Sequence, residues 1–385
     1  MIDLLYNGIL VALVAIWIGG TRHLGRGRIV PFLKKNKSAI AVALWISFGL
    51  FLASFVLYFP YFSEIHDIDD AVDSATSYLL HGGNPYSDEV VPRFAMKYHP
   101  DPEFANGTYN YLPLDLILYS GARSILGSVG TPAWFVLINL VFASIALYVF
   151  RRIVRTNWLT YVPIAGIVML FYAFDNGSLT MVFMVASIYF WRKKDERSTM
   201  FAILFLGLAT LTKIYAAIPF LVLVLFELQS RIATRDSRRL RNLLLAVGAC
   251  GVLAFVLIFP FGVSDVVDSS VLFHTSEQAR EETSIGGTLL GEFAMDNSYY
   301  GVVSVAVVVV AVLASMRFNN LDDRVLLVMT VFLLVSVKSS YAPLTVMGLY
   351  LGSRLRDVIY SQQGEALEDK AETAASSRQS SAGEV

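Results

Sequence analysis

The sequence contains very little cysteine, few charged residues and almost no net charge. Its 385 residues include one cysteine, Cys250, five histidines and 16% charged residues, and the formal net charge is −1. A single cysteine excludes an intramolecular disulfide and a metal site built from several thiolates, so we assign Cys250 to packing inside its apolar segment. A net charge near zero gives no overall electrostatic attraction to nucleic acid or to acidic partners.

Apolar residues dominate the chain instead. They make up 56% of it, and the mean hydropathy is +0.59. They come in runs of roughly 15–25 residues, the length that a helix needs to span a bilayer. We therefore predict an all-α polytopic membrane protein with about eleven transmembrane helices. The predicted segments are 3–20, 39–61, 131–150, 158–174, 179–191, 199–213, 214–228, 243–262, 300–316, 324–338 and 341–353.

Lysine and arginine recur in alternate connections between these segments. They follow the first, third, fifth, seventh and ninth segments and are scarce in the other connections. Because cytoplasmic loops are enriched in these residues, we place the N-terminus outside and the C-terminus in the cytoplasm of a multi-pass cell-membrane protein. Residues 1–360 then form the membrane domain, with long outer loops at 62–130 and 263–299, and residues 361–385 form a disordered cytoplasmic tail.

The first outer loop opens on an acidic stretch, Glu64–Asp73, directly after an apolar run. Aspartates beside a bilayer are costly unless they meet water, a metal or a substrate. The pattern that follows predicts an amphipathic interfacial helix that ends at Gly82, with Val72 and Leu80 on its apolar face. The apolar run 112–126 is too short to span a bilayer and predicts a second interfacial helix.

Five short motifs lie in these outer connections. They are Asp67…Ala75…Leu80-x-Gly82-x-Asn84-Pro85-Tyr86, then Tyr109-Asn110-Tyr111-Leu112-Pro113, Asp175-Asn176-Gly177-Ser178, Gly207-Leu208-Ala209-x(3)-Lys213-x(5)-Pro219 and His274-x(5)-Arg280-x(3)-Ser284. In their order they resemble the polyprenol-phosphate-mannose-dependent mannosyltransferases, which are membrane glycosyltransferases with the GT-C fold. The resemblance covers about residues 39–350. The chain departs from the family at 175–178, where relatives often carry Gly-Gln-x-Asn.

The resemblance implies a GT-C-like helical bundle that transfers a sugar, most simply mannose, from a polyprenyl-phosphate donor in the bilayer. The acceptor would be a lipid-linked or cell-envelope glycan, and the anomeric carbon would be inverted. The attacking hydroxyl needs a general base, which the resemblance assigns to Asp67, with Asp69 or Asp70 orienting the substrate. The phosphate leaving group needs cations, and the sequence offers Lys213, Arg280 and Lys338. The other candidate substrate-binding residues are His274, Asp175, Asn176, Tyr86, Tyr109 and Tyr111.

No metal or other cofactor is required by this chemistry, although Asp67, Asp69 and Asp70 could hold Mg²⁺ or Mn²⁺ through their oxygens. The same residues also have simpler interpretations. The acidic stretch could be a solvated loop, Lys213 and Lys338 could only snorkel at helix ends, and Asp175 could only cap a turn. Arg280 could pair with neighbouring glutamates, and Tyr109 and Tyr111 could anchor the interface.

The rival function is a transporter or flippase for a lipid-linked sugar. That class would show charges near the bilayer midplane or repeated halves with broken helices. The spans here hold few charges, no convincing internal repeat is present, and the polar residues concentrate in the outer loops. The sequence therefore favours an enzyme that works at the membrane surface.

Overall fold

The computed structural model describes residues 2–24, 35–65, 68–92, 106–130, 133–155, 158–173, 175–271, 297–336 and 343–357. Across these ranges the chain is helical apart from its turns and one antiparallel pair of two-residue strands, β1 (Val91–Pro92) and β2 (Asn106–Gly107). The prediction of a helical protein is confirmed. The helices are α1 (Ile2–Leu24), α2 (Lys37–Ile65), α3 (Ile68–Leu80), α4 (Pro113–Leu126), α5 (Ala133–Val154), α6 (Trp158–Tyr172), α7 (Gly177–Trp191), α8 (Glu196–Thr210), α9 (Ala217–Thr234), α10 (Ser237–Ile258), α11 (Val263–Val266), α12 (Asn297–Ser315), α13 (Leu321–Val335) and α14 (343–357).

Each of the predicted apolar segments coincides with one of these helices. Within the described ranges, three helices are long and apolar enough to cross a membrane: Ala133–Val154, Ile214–Thr234, which begins with a 3₁₀ turn before α9, and Ser237–Phe261, which continues α10. The other apolar helices are shorter or fall outside this criterion. The number of spans and the orientation of the chain therefore stay predictions.

Local sequence sets the starts of several helices. Asp195, Asp236 and Asn320 each place a side-chain oxygen on a backbone N–H in the first turn of α8, α10 and α13, at 2.8–3.0 Å. Such caps satisfy donors that have no partner inside the helix. The chain therefore turns at defined points between apolar helices, and these turns bring polar residues to the ends of the bundle.

The main core lies around α7, whose apolar residues pack against α5 and α8. Met184 and Ile188 of α7 are buried, as are Ile203 and Leu206 of α8. The neighbouring α10 approaches α8 at Gly207, where a Cβ would lie 2.4 Å from Sγ of Cys250. The packing role that the sequence suggested for Cys250 is confirmed by its place in this core.

A second core forms around α3 and α4 and includes residues of α5, α7 and the segment after α10. Helices α3 and α4 pack together, and both were predicted from the sequence. The carboxylate of Asp73 on α3 accepts hydrogen bonds from Arg123 of α4 at 2.8 Å and from the Trp134 indole of α5 at 2.9 Å. Helix α3 ends before Gly82, which has a φ of +87°. On the predicted apolar face, Val72 is fully buried, whereas Leu80, the last residue of α3, is 48% exposed on the protein surface.

A polar cluster closes the end of α7 that lies away from the first loop. Arg192, the residue that ends α7, donates to Ser353 of α14, to Asp322 of α13 and to Asp357. Arg192 is one of the basic residues that the charge rule predicts in the cytoplasm, whereas Asn176, at the other end of α7, lies in a turn that the same rule predicts outside. The helix therefore joins two polar ends of different composition.

Candidate functional site

Three segments from distant parts of the sequence meet at the other end of α7. They are the stretch that leads into α4, the turn before α7 and the turn between α8 and α9. The N–H of Leu114 donates to the carbonyl of Leu211 at 3.3 Å, which joins the first and third of these segments. The meeting point brings together five polar or aromatic side chains: Tyr109, Tyr111, Asp115, Asn176 and Lys213.

Asp115 lies at the centre of this group and is fully buried. Its Oδ2 accepts a hydrogen bond from the Tyr109 hydroxyl at 2.6 Å and another from Nδ2 of Asn176 at 3.0 Å. Burial raises the pKa of Asp115 to about 6, because the charged carboxylate has lost its water; the charge of Lys213 and the two hydrogen bonds act in the opposite direction without cancelling this effect. A buried carboxylate with a raised pKa is a common mark of a functional site.

Lys213 stands at the edge of the group, on the turn between α8 and α9, and is half-buried. Its Nζ donates to Oδ1 of Asn176 at 2.5 Å and lies 3.6 Å from the centre of the Tyr111 ring. A cation over an aromatic face is attracted by the ring quadrupole. Lys213 is thus held on two sides, by an amide oxygen and by an aromatic ring, while part of its side chain remains accessible.

The local sequence explains how the acid comes to be buried. Leu112 is extended, and Pro113 then occupies the start of α4, where its fixed φ suits a first helical turn. Asp115 therefore falls in that first turn, where the positive end of the helix dipole favours a carboxylate. The buried positions 113–116 turn this end of α4 towards the core.

The turn before α7 is held by its own residues. Oδ1 of Asp175 accepts the N–H of Gly177 at 2.8 Å, so Asp175 does cap this turn. A Cβ at residue 177 would lie 2.9 Å from the Tyr172 ring, which favours glycine there. With the turn fixed in this way, the neighbouring Asn176 is completely buried and directed at Asp115. Whether Asp175 also contacts substrate stays a prediction.

The segment after α10 is tied to the same place through the carbonyl of Tyr111. That oxygen accepts hydrogen bonds from the hydroxyl of Tyr86 at 2.8 Å and from Ser270 at 2.9 Å. The Tyr86 ring also packs edge-on against Phe261, at a centroid distance of 5.2 Å. Burial raises the pKa of the Tyr86 hydroxyl well above its usual value, so it remains a donor.

The structure brings together six of the residues that the sequence singled out: Tyr86, Tyr109, Tyr111, Asp175, Asn176 and Lys213. Asp69 is buried at the start of α3 and Asp70 beside it is exposed. Asp67, His274, Arg280 and Lys338 lie outside the described residues. In the described ranges no three histidine, cysteine, aspartate or glutamate residues could hold a metal ion, but these ranges do not include Asp67. Metal binding by Asp67, Asp69 and Asp70 therefore stays a hypothesis.

Sequence reasoning missed Asp115. The run 112–126 was interpreted as an apolar interfacial helix, and its one acid was not considered further. The available signal was the acid itself, since a carboxylate inside an apolar segment of a membrane protein is costly and usually functional.

Comparison with known proteins gives one match. Residues 111–339 match the family model described as glycosyltransferase family 87, which is more than half of the chain and begins at Tyr111. No curated protein and no solved structure matches. The matched range includes Asp115, Asn176 and Lys213, so the polar group at this end of α7 lies inside it. The chain therefore belongs to glycosyltransferase family 87 and is a membrane glycosyltransferase.

Proposed function

We propose that this glycosyltransferase moves a sugar, with mannose the first to test, from a polyprenyl-phosphate donor to a lipid-linked or cell-envelope glycan. The transfer would occur on the extracytoplasmic face and invert the anomeric carbon. The single observation that supports this donor is the placement of Lys213. It is a half-exposed cation, held by Asn176 and Tyr111, in a membrane protein whose family transfers sugars.

A polyprenyl-phosphate donor leaves a phosphate monoester at the membrane surface when the glycosidic bond breaks. Negative charge develops on that phosphate, and a cation placed beforehand stabilises it most in the transition state. Lysine acts here as a compact point charge. In this proposal Lys213 contacts the phosphate, and Arg280 and Lys338 complete the site from the segments outside the described ranges.

The acceptor hydroxyl must lose a proton as it attacks. Asp115 is fully buried, so its carboxylate does not meet an acceptor in this arrangement. We therefore keep the base on the acidic stretch at the start of α3, with Asp67 as the base and Asp69 or Asp70 as its helper. Helix α3 packs on α4, which carries Asp115, so this stretch and the Lys213 group belong to neighbouring elements.

The tyrosines take different parts in this proposal. Tyr86 and Tyr109 are buried, and their hydroxyls are engaged by the Tyr111 carbonyl and by Asp115. Tyr111 is half-buried and is the aromatic side chain best placed to meet a sugar beside Lys213. His274 and Asp175 remain proposed contacts for the sugar or the acceptor.

The test is transfer by the purified full-length protein in liposomes. Polyprenyl-phosphate-mannose, polyprenyl-phosphate-glucose and nucleotide sugars are offered as donors with a panel of lipid-linked acceptors, and the anomeric configuration of the product is determined. Lys213→Ala should raise the KM for the lipid donor by about 10–100-fold, as expected when one charged hydrogen bond is lost. Lys213→Arg should recover part of this loss.

Lys193→Ala is the matched control. Lys193 also lies over aromatic rings, with its Nζ 4.7 Å from the Tyr189 ring centre, but it sits at the opposite end of α7. Its loss should leave the donor KM unchanged. Transfer from nucleotide sugars alone would contradict the proposed donor. Movement of an intact lipid-linked sugar across the bilayer, without any transfer, would instead indicate a transporter.

A further inference from the structure

We infer that Asp115 is a positioning residue for Lys213, and that it acts through the amide of Asn176. The inference deepens the proposed function, because the cation that it positions is the one we assign to the donor phosphate. The placement of Lys213 by Asp115 is nevertheless a property of the protein itself, which can be measured without any substrate.

Hydrogen-bond donors and acceptors follow one another in a fixed order between Tyr109 and Lys213. The Tyr109 hydroxyl donates to Asp115, Asn176 donates to Asp115 through Nδ2, and Lys213 donates to Oδ1 of Asn176. An ionised carboxylate can only accept and an ammonium can only donate. An asparagine between them satisfies both in one orientation only, with its NH₂ towards the carboxylate and its oxygen towards the ammonium. Asp115 therefore fixes which end of the Asn176 amide Lys213 meets.

Asp115 contacts the Asn176 amide through only one of its two carboxylate oxygens. Both hydrogen bonds to Asp115 end on Oδ2, whereas Oδ1 is buried and accepts none from any residue in the described ranges. Asn176 is itself completely buried, so water has little access to replace a lost partner. Removal of the Oδ2 acceptor therefore leaves the buried NH₂ of Asn176 without this partner, so the amide is no longer held at the position from which its oxygen meets Lys213.

The consequence for Lys213 follows from this geometry. If the Asn176 side chain shifts so that its NH₂ finds another acceptor, its oxygen leaves hydrogen-bond distance of the Lys213 ammonium. Lys213 then loses the hydrogen bond to Asn176, and its position 3.6 Å from the centre of the Tyr111 ring is fixed less strongly. The side chain would then spend less time where a phosphate could use it, and the affinity for the donor would fall more than the turnover number.

The direct test observes Lys213 in the full-length protein. Lysines are labelled with ¹³C-methyl groups, and the Lys213 signal is identified by its loss in Lys213→Arg. Because Nζ lies over the Tyr111 ring, its methyl protons should be shifted upfield by the ring current, and Tyr111→Leu should remove that shift. Asp115→Leu and Asn176→Leu should each remove it as well, since each breaks the chain of hydrogen bonds.

Two further variants separate positioning from general damage to the core. Asp115→Asn retains an acceptor oxygen of the same shape and should keep the shifted signal. Ser178→Ala removes a different buried hydrogen bond on the same helix, the 2.5 Å contact with Asn139, and should also keep it. Equal behaviour of Asp115→Asn and Asp115→Leu would overturn the inference. If Asp115→Leu does not fold, Asp115→Ala removes the same acceptor oxygen and tests the same link.

Kinetics then provide a second, independent reading. Asp115→Leu should raise the donor KM by about tenfold with a smaller change in kcat. In a protein that already carries Lys213→Ala, the same Asp115→Leu substitution should raise the donor KM little further. Such non-additivity is expected of residues that share one network. Additive effects, or an unshifted Lys213 signal in the folded wild type, would contradict positioning. If the shifted Lys213 signal depends on Asp115 but the protein uses no polyprenyl-phosphate donor, the positioning role is supported and the proposed function is contradicted.

Discussion

The burial of Asp115 predicts how the stability of the protein depends on pH. Burial raises the pKa of Asp115 to about 6 in the folded protein, whereas an aspartate in an unfolded chain has a pKa of about 3.9. One unit of pKa corresponds to about 1.4 kcal/mol, so the ionised carboxylate disfavours folding by about 3 kcal/mol once the pH exceeds both values. Below about pH 3.9 the group is protonated in both states, and this cost disappears.

The sign of the effect is opposite to that of an ion-paired aspartate. The folded chain holds the proton more tightly than the unfolded chain, so lowering the pH through about 6 stabilises the fold through this residue. Between about pH 7.5 and about pH 5 the gain is about 1.4 kcal/mol. Asp115→Asn has no such proton to bind, so the stability of the wild type relative to this variant should rise by that amount as the pH falls.

Thermal unfolding of both proteins in the same detergent measures this difference. For a large domain, about 1 kcal/mol corresponds to about 2–4 °C in Tm, which is resolvable by intrinsic tryptophan fluorescence. Subtraction of the variant from the wild type cancels the titration of all other groups. Asp268→Asn, which removes an exposed carboxylate, is the control for the loss of one negative charge. Parallel pH profiles for the wild type and Asp115→Asn would refute the buried, ionisable state described here.

Three further outcomes are expected. Asp67→Asn should lower turnover by about 10²–10⁴, as the loss of a general base does, while donor binding survives; full activity of this variant and of the Asp69 and Asp70 counterparts would exclude the acidic stretch from catalysis. Arg192→Ala should destabilise the protein by about 3–5 kcal/mol, because it leaves the buried carboxylate of Asp322 without its cation, and an unchanged Tm would contradict this. Ser87→Cys in a cysteine-free background should react with an impermeant thiol reagent in intact cells, whereas labelling only after lysis would reverse the orientation.

Periodicity was sufficient to locate the helices. The apolar runs matched helices because a bilayer-length run leaves few alternatives, and Gly82, with its positive φ, marked the end of α3 as expected. Two residues of the predicted apolar face nevertheless differ, because Val72 is buried within the protein and Leu80 is exposed on its surface. Near the end of a helix, the face that a residue presents depends on what packs there, and the sequence does not contain that information.

The candidate site was only partly predictable, for a different reason. Asn176 and Lys213 were identified from local motifs, yet their contact joins residues 37 positions apart, and the contact of Asn176 with Asp115 joins residues 61 apart. A local pattern presents Asp115 as one acid on an otherwise apolar helix. Only the approach of the turn before α7 shows that this acid faces inwards, so its role appears first in the folded chain.

The ion cluster around Arg192 has a consequence for the order in which the chain is made. Asp322 follows Arg192 by 130 residues and Asp357 follows it by 165. At a synthesis rate of about 5–20 residues per second, roughly 7–30 s pass between the synthesis of Arg192 and the synthesis of its acidic partners. An unpaired guanidinium is costly inside the hydrocarbon of the bilayer. At the end of α7, however, Arg192 can remain among water and lipid headgroups until its partners are made. The ion cluster at this end is therefore complete only when α14 has been made, and a chain that stops short of α14 should lack the contacts of Arg192 with Ser353 and Asp357.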